Sequence, residues 1–472
     1  MLKHQRRSRP YFATIVALTL FIGALQATAQ TDANTSAPPI KPSVTVTTLI
    51  NFDYSDGENP FEENLVQGKD GNLYGTTLYG GSTGFGTVFK VSTSGVLTTL
   101  YTFTGGDDGA NPYAGLTLGV DGNFYGTTFD RGTSTYGTVF KITPSGTLTT
   151  LHDFVGTDGG NPSGALVQGA DRNFYGTTNF GADGTYGTIF KITPTGSFTT
   201  LVNFNGSNGM DPAAGVLRAN GMFYGTTTSG GNSTGTVFAM TSAGVLTTLF
   251  SFADTNGTEP VAQLIQGSNG NFYGTTLRGG ANENGEVFEI TPSGSLTVLH
   301  SFDGTDGSMP YASVTQATDG NLYGTTSLGG GGNQGTIFEL TPGGTFTSLY
   351  SFSTTSGEQP YGGLVQHTSG ALFGVTPAGG TVGAGTVFEV DAGLAPFVRL
   401  VPTSGTPGSK VMILGTNLTG VTSVTFDGIP AAWTPGSSTY LTAVVPSTAM
   451  TGLVKVTTSC CMLTSNVPFR VF

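Results

Sequence analysis

A six-residue phrase, NLYGTT or a near variant, returns seven times along the chain, with its aromatic residue at Tyr74, Tyr125, Tyr175, Tyr224, Tyr273, Tyr323 and Phe373. Differencing those positions gives steps of 51, 50, 49, 49, 50 and 50. A period this steady means one supersecondary unit copied and stacked, because a single unit of that size cannot bury its apolar surface alone. The repeat therefore fixes the shape before any single residue is considered.

The third copy shows how one unit folds. Residues 164–168 (GALVQ), 173–178 (NFYGTT), 187–193 (GTIFKIT) and 197–204 (SFTTLVNF) are short runs rich in aromatic and β-branched residues. They are too short for helices and suit strands. Asp-Gly pairs such as Asp70-Gly71, Asp121-Gly122 and Asp319-Gly320 separate the first two runs and favour type I′ hairpins. Thr-Pro-x-Gly turns join the last two, so each copy predicts a four-stranded antiparallel meander. Consecutive apolar residues in the third strand (Val88 and Phe89, Val139 and Phe140) point to opposite faces. A sheet apolar on both faces needs a neighbour on each side, and seven such sheets set radially satisfy that need. The expected fold is an all-β, seven-bladed β-propeller over residues 44–391. An open solenoid would need atypical capping units, and the sequence has none.

The ends of the repeat array support closure. Residues 44–52 (VTVTTLINF) match an outer strand without a blade, and residues 385–390 (GTVFEV) match a third strand without an outer partner. Thr47 to Phe52 is therefore expected to pair with Thr386 to Val390 and complete the seventh blade.

The Pro-led first strand, DGN turn and aromatic second strand are similar to the NHL propeller module. More closely, seven copies of YGTT with GTVF, covering roughly Pro60 to Val390, resemble the bacterial GloVer tandem repeat found in exported proteins. That resemblance implies no particular activity. From Pro396 onward the period is lost. There PTSGTPGSKVMILGTNLTGVTSVTFDG, TAVVP and TGLVKV resemble the IPT/TIG domain, an immunoglobulin-like β-sandwich, over residues 397–472 after a short linker at 392–396. Alternating Val411, Ile413, Val424 and Phe426 fit half-buried strands. This resemblance implies a spacer or adhesion module without catalytic residues. Trp433, the sole tryptophan, is a candidate ligand platform, although core or hinge packing is the commoner fate of such a residue.

Ahead of the repeats, Lys3, Arg6, Arg7 and Arg9 precede an apolar run from Tyr11 to Leu25 and then Ala27, Thr28 and Ala29. This is the pattern of a signal peptide over residues 1–29, followed by a linker at 30–43. The run is too short to favour a permanent span, so a secreted or cell-surface protein is expected, with no membrane span in the mature chain; a retained N-terminal anchor is the rival reading. Neither a lipobox cysteine nor a C-terminal span is present, which favours secretion over anchoring. Cleavage would remove four of the 17 Lys+Arg and none of the 29 Asp+Glu, leaving 13 against 29 and a net charge of −16. Nucleic acid, which needs a basic stripe, is excluded as a partner.

Catalytic patterns are sparse. His152 and His300 occupy one repeat slot three blades apart, His367 falls in the last inner strand, and no partner is expected for any of them from spacing. Adjacent Glu62 and Glu63 would point apart on a strand rather than toward one sugar ring. Asp56, Asp108, Asp158, Asn208, Asn256 and Asp306, with Ser356 as the exception, precede glycine and suit turns; each loop has too few oxygens for calcium. Adjacent Cys460 and Cys461 can close a strained disulfide in an oxidising compartment, or sit as two half-buried thiols in a strand. They are too few for a metal site. No cofactor is expected.

The most suggestive feature is the Gly-rich loop between the second and third strands. In the first three copies it carries Tyr79 and Phe85, Phe129 and Tyr136, and Phe180 and Tyr186, with Arg131 nearby. Later copies mostly hold Ser, Gly, Asn, Gln or Ala there. One sector of one face would then offer rings to a glycan or extracellular protein, because aromatic faces stack while neighbouring polar groups hydrogen-bond. The alternative is that the rings pack over their own loops. The leading expectation is an exported, non-enzymatic binding or adhesion protein with the sandwich as spacer. A polysaccharide-active hydrolase or lyase and a structural envelope component are the rivals, and the sequence leaves the oligomeric state open.

Overall fold

The computed structural model describes residues 44–61, 64–181, 186–231 and 234–472. The expected signal peptide and its linker, and also Glu62 and Glu63, lie outside the described residues. Seven four-stranded antiparallel sheets are formed between Thr45 and Asp391. The first comprises Val66–Gln67, Leu73–Thr77, Thr87–Val91 and Leu97–Thr102, and the next five repeat that plan. The seventh takes Val365–Gln366, Leu372–Thr376 and Thr386–Asp391 from one end of the array, and its outer strand, Thr45–Asn51, from the other. Its register runs from Thr45 opposite Asp391 to Asn51 opposite Thr386, and Phe52 N donates to Gly385 O at 3.0 Å.

Separate apolar clusters join each sheet to the next, including Leu73 and Phe89 of the first with Phe373 and Val387 of the seventh, so the ring is closed. Each residue of the YGTT phrase serves that ring. Tyr74 stacks on Phe124 of the next blade at 4.1 Å, as Tyr125 does on Phe174 at 3.9 Å. A Cβ on Gly75 would come within 2.7 Å of Phe89 Cζ, so this glycine is required by a crossing ring rather than by backbone torsion. Thr76 Oγ1 donates to Ala114 O of the next blade at 3.2 Å, and Thr77 shares a 2.9 Å hydroxyl pair with Thr87. The phenylalanine ending each outer strand then packs edge-on against the next blade, as in Phe52–Phe89 at 5.2 Å and Phe154–Phe190 at 5.4 Å.

Two departures within the repeat have local causes. Tyr74 Oη donates to Asp70 Oδ2 at 2.9 Å, whereas Phe373 follows a turn holding Ser369, so the hydroxyl and its acceptor are lost together. Glu286 replaces a paired threonine; it is buried, is held by Ser301 Oγ at 2.6 Å, and burial raises its carboxyl above the ordinary range.

The turn chemistry differs from the type I′ expectation. Gly71 N donates to Gly68 O and Gly68 N donates to Asn72 O, with Gly71 alone at positive φ (+79°). That is a type I turn closed by a glycine bulge. Only the fourth blade, one residue shorter, has the type I′ form, with Asn220 at +53° and Gly221 at +79° between paired Ala219 and Met222.

The C-terminal sandwich has one sheet of Arg399–Val401, Lys410–Leu414, Tyr440–Val444 and Trp433–Pro435. Its second sheet is Ile429–Pro430, Val421–Phe426, Val454–Thr458 and Met462–Thr464. Val411, Ile413, Val424 and Phe426 fill the space between them, and Trp433 packs against that core. The first sheet is not half-buried, because Met412 and Leu414 on its other face pack with Tyr74 and Phe124 of the propeller. Arg399 Nη2 donates to Gln366 O at 2.6 Å, and burial lowers its guanidinium to about 10. Arg218 Nη1 donates to Ser404 Oγ at 2.9 Å, and Arg470 Nη2 to Gln266 Oε1 at 2.6 Å. These anchors lie on blades seven, four and five, so the sandwich bridges the axis at the end carrying the DGN turns. A spacer would stand off from the ring; this module is docked on it.

Candidate functional site

In a four-stranded meander the loop between second and third strands and the crossing to the next blade share one end of the ring. The docked sandwich occupies the other end. Among the described residues the loop-bearing end is therefore the uncovered face, and all seven residues expected to bind ligand lie on it.

The structure separates them into two groups. Phe85, Tyr136 and Tyr186 lean on glycines of the following crossing: a Cβ on Gly105 would meet Phe85 at 2.8 Å, one on Gly156 would meet Tyr136 at 2.9 Å, and one on Gly206 would meet Tyr186 at 3.3 Å. This is packing of loop on loop, and of the three only Tyr136 keeps substantial exposure, at 36%. Tyr79 at 44% and Phe180 at 40% stand out further. Gly160 links Phe180 and Tyr136: its N donates to Phe180 O at 3.1 Å, and a Cβ on it would lie 3.0 Å from the Tyr136 ring. Arg131 places its guanidinium 4.9 Å from the Phe85 ring centre, a cation–π pair that bridges blades one and two. Phe129 turns to Tyr113 at 5.4 Å instead of joining the rim. Tyr79, Tyr136 and Phe180 are thus the exposed rings of the sector, and the other four residues support it.

Electrostatics on this face come from carboxyls. Burial raises Asp130 above the ordinary range, against the bond it accepts from Asn161 Nδ2 at 3.1 Å and the charge of Arg131. Asp211 is pushed up to about 6 by burial. Among the described residues no group of three or more metal-ligating side chains converges.

The histidines differ from expectation. His152 Nε2 lies 2.9 Å from Asp158 Oδ2 and His300 Nε2 lies 2.8 Å from Asp306 Oδ2, so each does have a carboxylate, six residues on, supplied by the crossing loop. Each ring also lies flat on a phenylalanine at 3.9 Å (Phe198 and Phe346), which makes the pair a strut between blades. His367 falls in the turn rather than the inner strand; its Nε2 donates to Gly71 O at 3.0 Å across the seam, and burial lowers it to about 4. The cysteines are also displaced from expectation. Both are exposed in the turn after Val454–Thr458, with their sulfurs 2.9 Å apart.

Sequence reasoning missed a second set of rings. Phe61, Tyr113, Tyr311 and Tyr361, each directly after the proline that leads into an inner strand, form a chain of contacts: Tyr311–Tyr361 at 4.9 Å, Tyr361–Phe61 at 4.8 Å and Phe61–Tyr113 at 4.7 Å. The signal was an aromatic following proline in copies six, seven, one and two, but not in three, four or five.

The Gloeobacter/Verrucomicrobia repeat family matches residues 28–234, 121–318 and 211–428, and the IPT/TIG domain matches residues 397–470. No curated protein matches the chain. Solved structures similar to it include the BP39L lectin of Burkholderia pseudomallei, at 9% identity over 71% of this chain and 97% of that one, TM-score 0.49. A Bacteroides fragilis protein provisionally assigned as a 6-phosphogluconolactonase is 18% identical over 65% of this chain and 88% of that one, TM-score 0.44. A Dyadobacter fermentans protein of unknown function is 11% identical over 74% and 100%, TM-score 0.40. At such values none of these likenesses bears on a ligand or a reaction. The chain belongs to the Gloeobacter/Verrucomicrobia repeat family and carries an IPT/TIG domain at its C-terminal end.

Proposed function

We propose that this member of the Gloeobacter/Verrucomicrobia repeat family is an exported, non-catalytic binding protein whose loop-bearing face takes a glycan or an extracellular protein. The observation that carries this reading is the gathering of exposed rings on one side of the face opposite the sandwich: Tyr79, Tyr136 and Phe180 lie on blades one to three, and Tyr54, at 47% exposure, lies on the crossing from blade seven into blade one, where its hydroxyl donates to Val382 O at 3.0 Å. Rings left in water cost free energy that a ligand's apolar surface recovers, and a stacked ring also orients the ligand. Arg131 and Asp130, set between the rings of blades one and two, supply charge for recognition. The docked sandwich closes the opposite face, which leaves the loop face for partners.

The test is a screen of the full chain against a glycan array and immobilised extracellular proteins, comparing wild type with a Tyr79→Ala/Tyr136→Ala/Phe180→Ala triple variant. Binding should fall by about tenfold or more, as expected for lost aromatic stacking, with the melting temperature little changed. Equal binding by both forms would remove the aromatic sector from the function.

A further inference from the structure

We infer that the sandwich is a binding module in its own right, and that the cleft beside Trp433 seats a short stretch of a neutral saccharide. The inference does not depend on the loop-bearing face, because the cleft belongs to the domain docked at the other end of the ring.

The cleft has a volume of about 420 Å³, with Leu418 to Val421 on one side and Trp433 with Pro435 to Ser438 on the other. That volume falls within the range of about 300–1,000 Å³ usual for small-molecule sites. Trp433 and Pro435 stand two residues apart on one strand and so share a face. Trp433 is half-buried: it packs with Val421 against the sandwich core, and its remaining surface lines the cleft. A ring serving only as core filling would gain by complete burial, so the part left at the cleft is surface that a ligand can cover.

The lining chemistry selects the ligand. Every residue of the cleft is uncharged, which leaves an anionic sugar without a cation to pair with. Thr419 and Ser438, one from each side, are exposed and present hydroxyls. An indole beside hydroxyl groups matches a pyranose, whose C–H faces stack while its own hydroxyls exchange hydrogen bonds. Proline-rich peptides dock in grooves lined by aromatic residues, and Trp433 is the single aromatic lining this one.

The two sides are held together before a ligand arrives. Leu418 N donates to Ser438 O at 2.8 Å, and Gly415 N donates to Thr439 O at 2.9 Å. The second side is also seated on blade one, where Thr439 Oγ1 donates to Lys69 O and Lys69 Nζ lies 5.7 Å from the Tyr440 ring centre. Docking on the ring thus removes freedom from the loop after Pro435, and less ordering remains to oppose binding.

Because Trp433 is the only tryptophan, its fluorescence reports on this cleft and on no other part of the protein. The full chain is titrated with neutral gluco-, manno-, galacto- and xylo-oligosaccharides to millimolar concentration, by Trp433 emission and by calorimetry. At least one series should change the emission saturably. Ser438→Phe and Thr419→Phe, which crowd the cleft from either side at exposed positions, should each weaken that binding by about tenfold or more, whereas Tyr136→Ala on the loop face should change it by less than about threefold. Thermal melting of each variant separates lost binding from lost folding. Unchanged emission with every oligosaccharide, or an undiminished response in either folded phenylalanine variant, would overturn the cleft. A response to a polyproline peptide in place of the sugars would overturn the saccharide assignment. Heat of sugar binding that leaves Trp433 emission unchanged and disappears in Tyr136→Ala would refute this inference while supporting the proposed function of the loop face.

Discussion

Replacing Phe52 by alanine tests the seam that joins the two ends of the repeat array. Phe52 is wholly buried and meets Phe89 of blade one edge-on at 5.2 Å, in a cluster with Ile50, Leu73, Phe373 and Val387. Phe154 has the same burial and the same contact, to Phe190 at 5.4 Å, but lies inside the array where the chain itself holds the blades together. A phenylalanine of this kind buries about 150–250 Å², and at about 25 cal/mol per Å² its removal loses roughly 4–6 kcal/mol as an upper estimate. Core Phe→Ala changes cost about 3–5 kcal/mol, so that is the expected loss at both positions. Equilibrium urea unfolding followed by far-UV circular dichroism measures it, and Trp433 fluorescence follows the sandwich separately because it is the only tryptophan. In a closed ring the two substitutions lower the propeller midpoint by similar amounts. A Phe52→Ala loss below about 1 kcal/mol beside a full loss in Phe154→Ala would mean that residues 45–52 are a frayed end. Ring closure would then be refuted.

Two further substitutions test the crossing loops. The residue before each blade's leading proline has positive φ in all seven copies: Asn59, Asn111, Asn161, Asp211, Glu259, Met309 and Gln359, between +53° and +59°. Asparagine tolerates that conformation, and Asn111 Nδ2 also donates to Leu78 O at 2.9 Å across the blade boundary. Met309→Asn should therefore raise the unfolding free energy measured in urea by about 1 kcal/mol through relief of strain and a new bond to Leu277 O, the matching carbonyl; an unchanged or lower value would contradict this. Asp211 has its folded pKa raised to about 6 by burial, from an ordinary 3.8. Its contribution is then fully present below about pH 4, where both states hold the proton, and is lost as pH rises toward 6 and the unfolded chain ionises first. Asp211→Asn should stabilise the protein at pH 7.5 on the order of 1 kcal/mol after allowance for solvent screening, and have little effect at pH 4; equal effects at both pH values would show that burial of the charge is not the cause.

The sequence by itself determined the ring. Its fifty-residue period set the number of blades, runs with consecutive apolar residues required a neighbour on each face, and the unmatched strands at residues 44–52 and 385–390 required a shared seventh blade. These are local, repeated signals, and repetition averages out the ambiguity of any one copy. Contacts made by the crossing loops carry no such signal. His152 with Asp158 and His300 with Asp306 escaped notice because the partner arrives from the crossing loop, and the split of the rim rings into Phe85, Tyr136 and Tyr186 against glycines and Tyr79 and Phe180 in water depends on which loop lies beneath each one. The arc of Phe61, Tyr113, Tyr311 and Tyr361 was visible only as aromatics after four of seven prolines; that they touch follows from the axis bringing first and last blades side by side.

The sandwich shows the same division most plainly. Its strands were legible from Val411, Ile413, Val424 and Phe426, but the continuous apolar run from Val411 to Leu414 marks a strand covered on both faces, and sequence does not say by what. Only the tertiary structure put Met412 and Leu414 on Tyr74 and Phe124 and set arginines against blades four, five and seven. The physical reason is that alternation within a strand is fixed by local backbone geometry, whereas the cover over its second face is chosen by the shape and charge of a distant surface that exists only once the ring has closed.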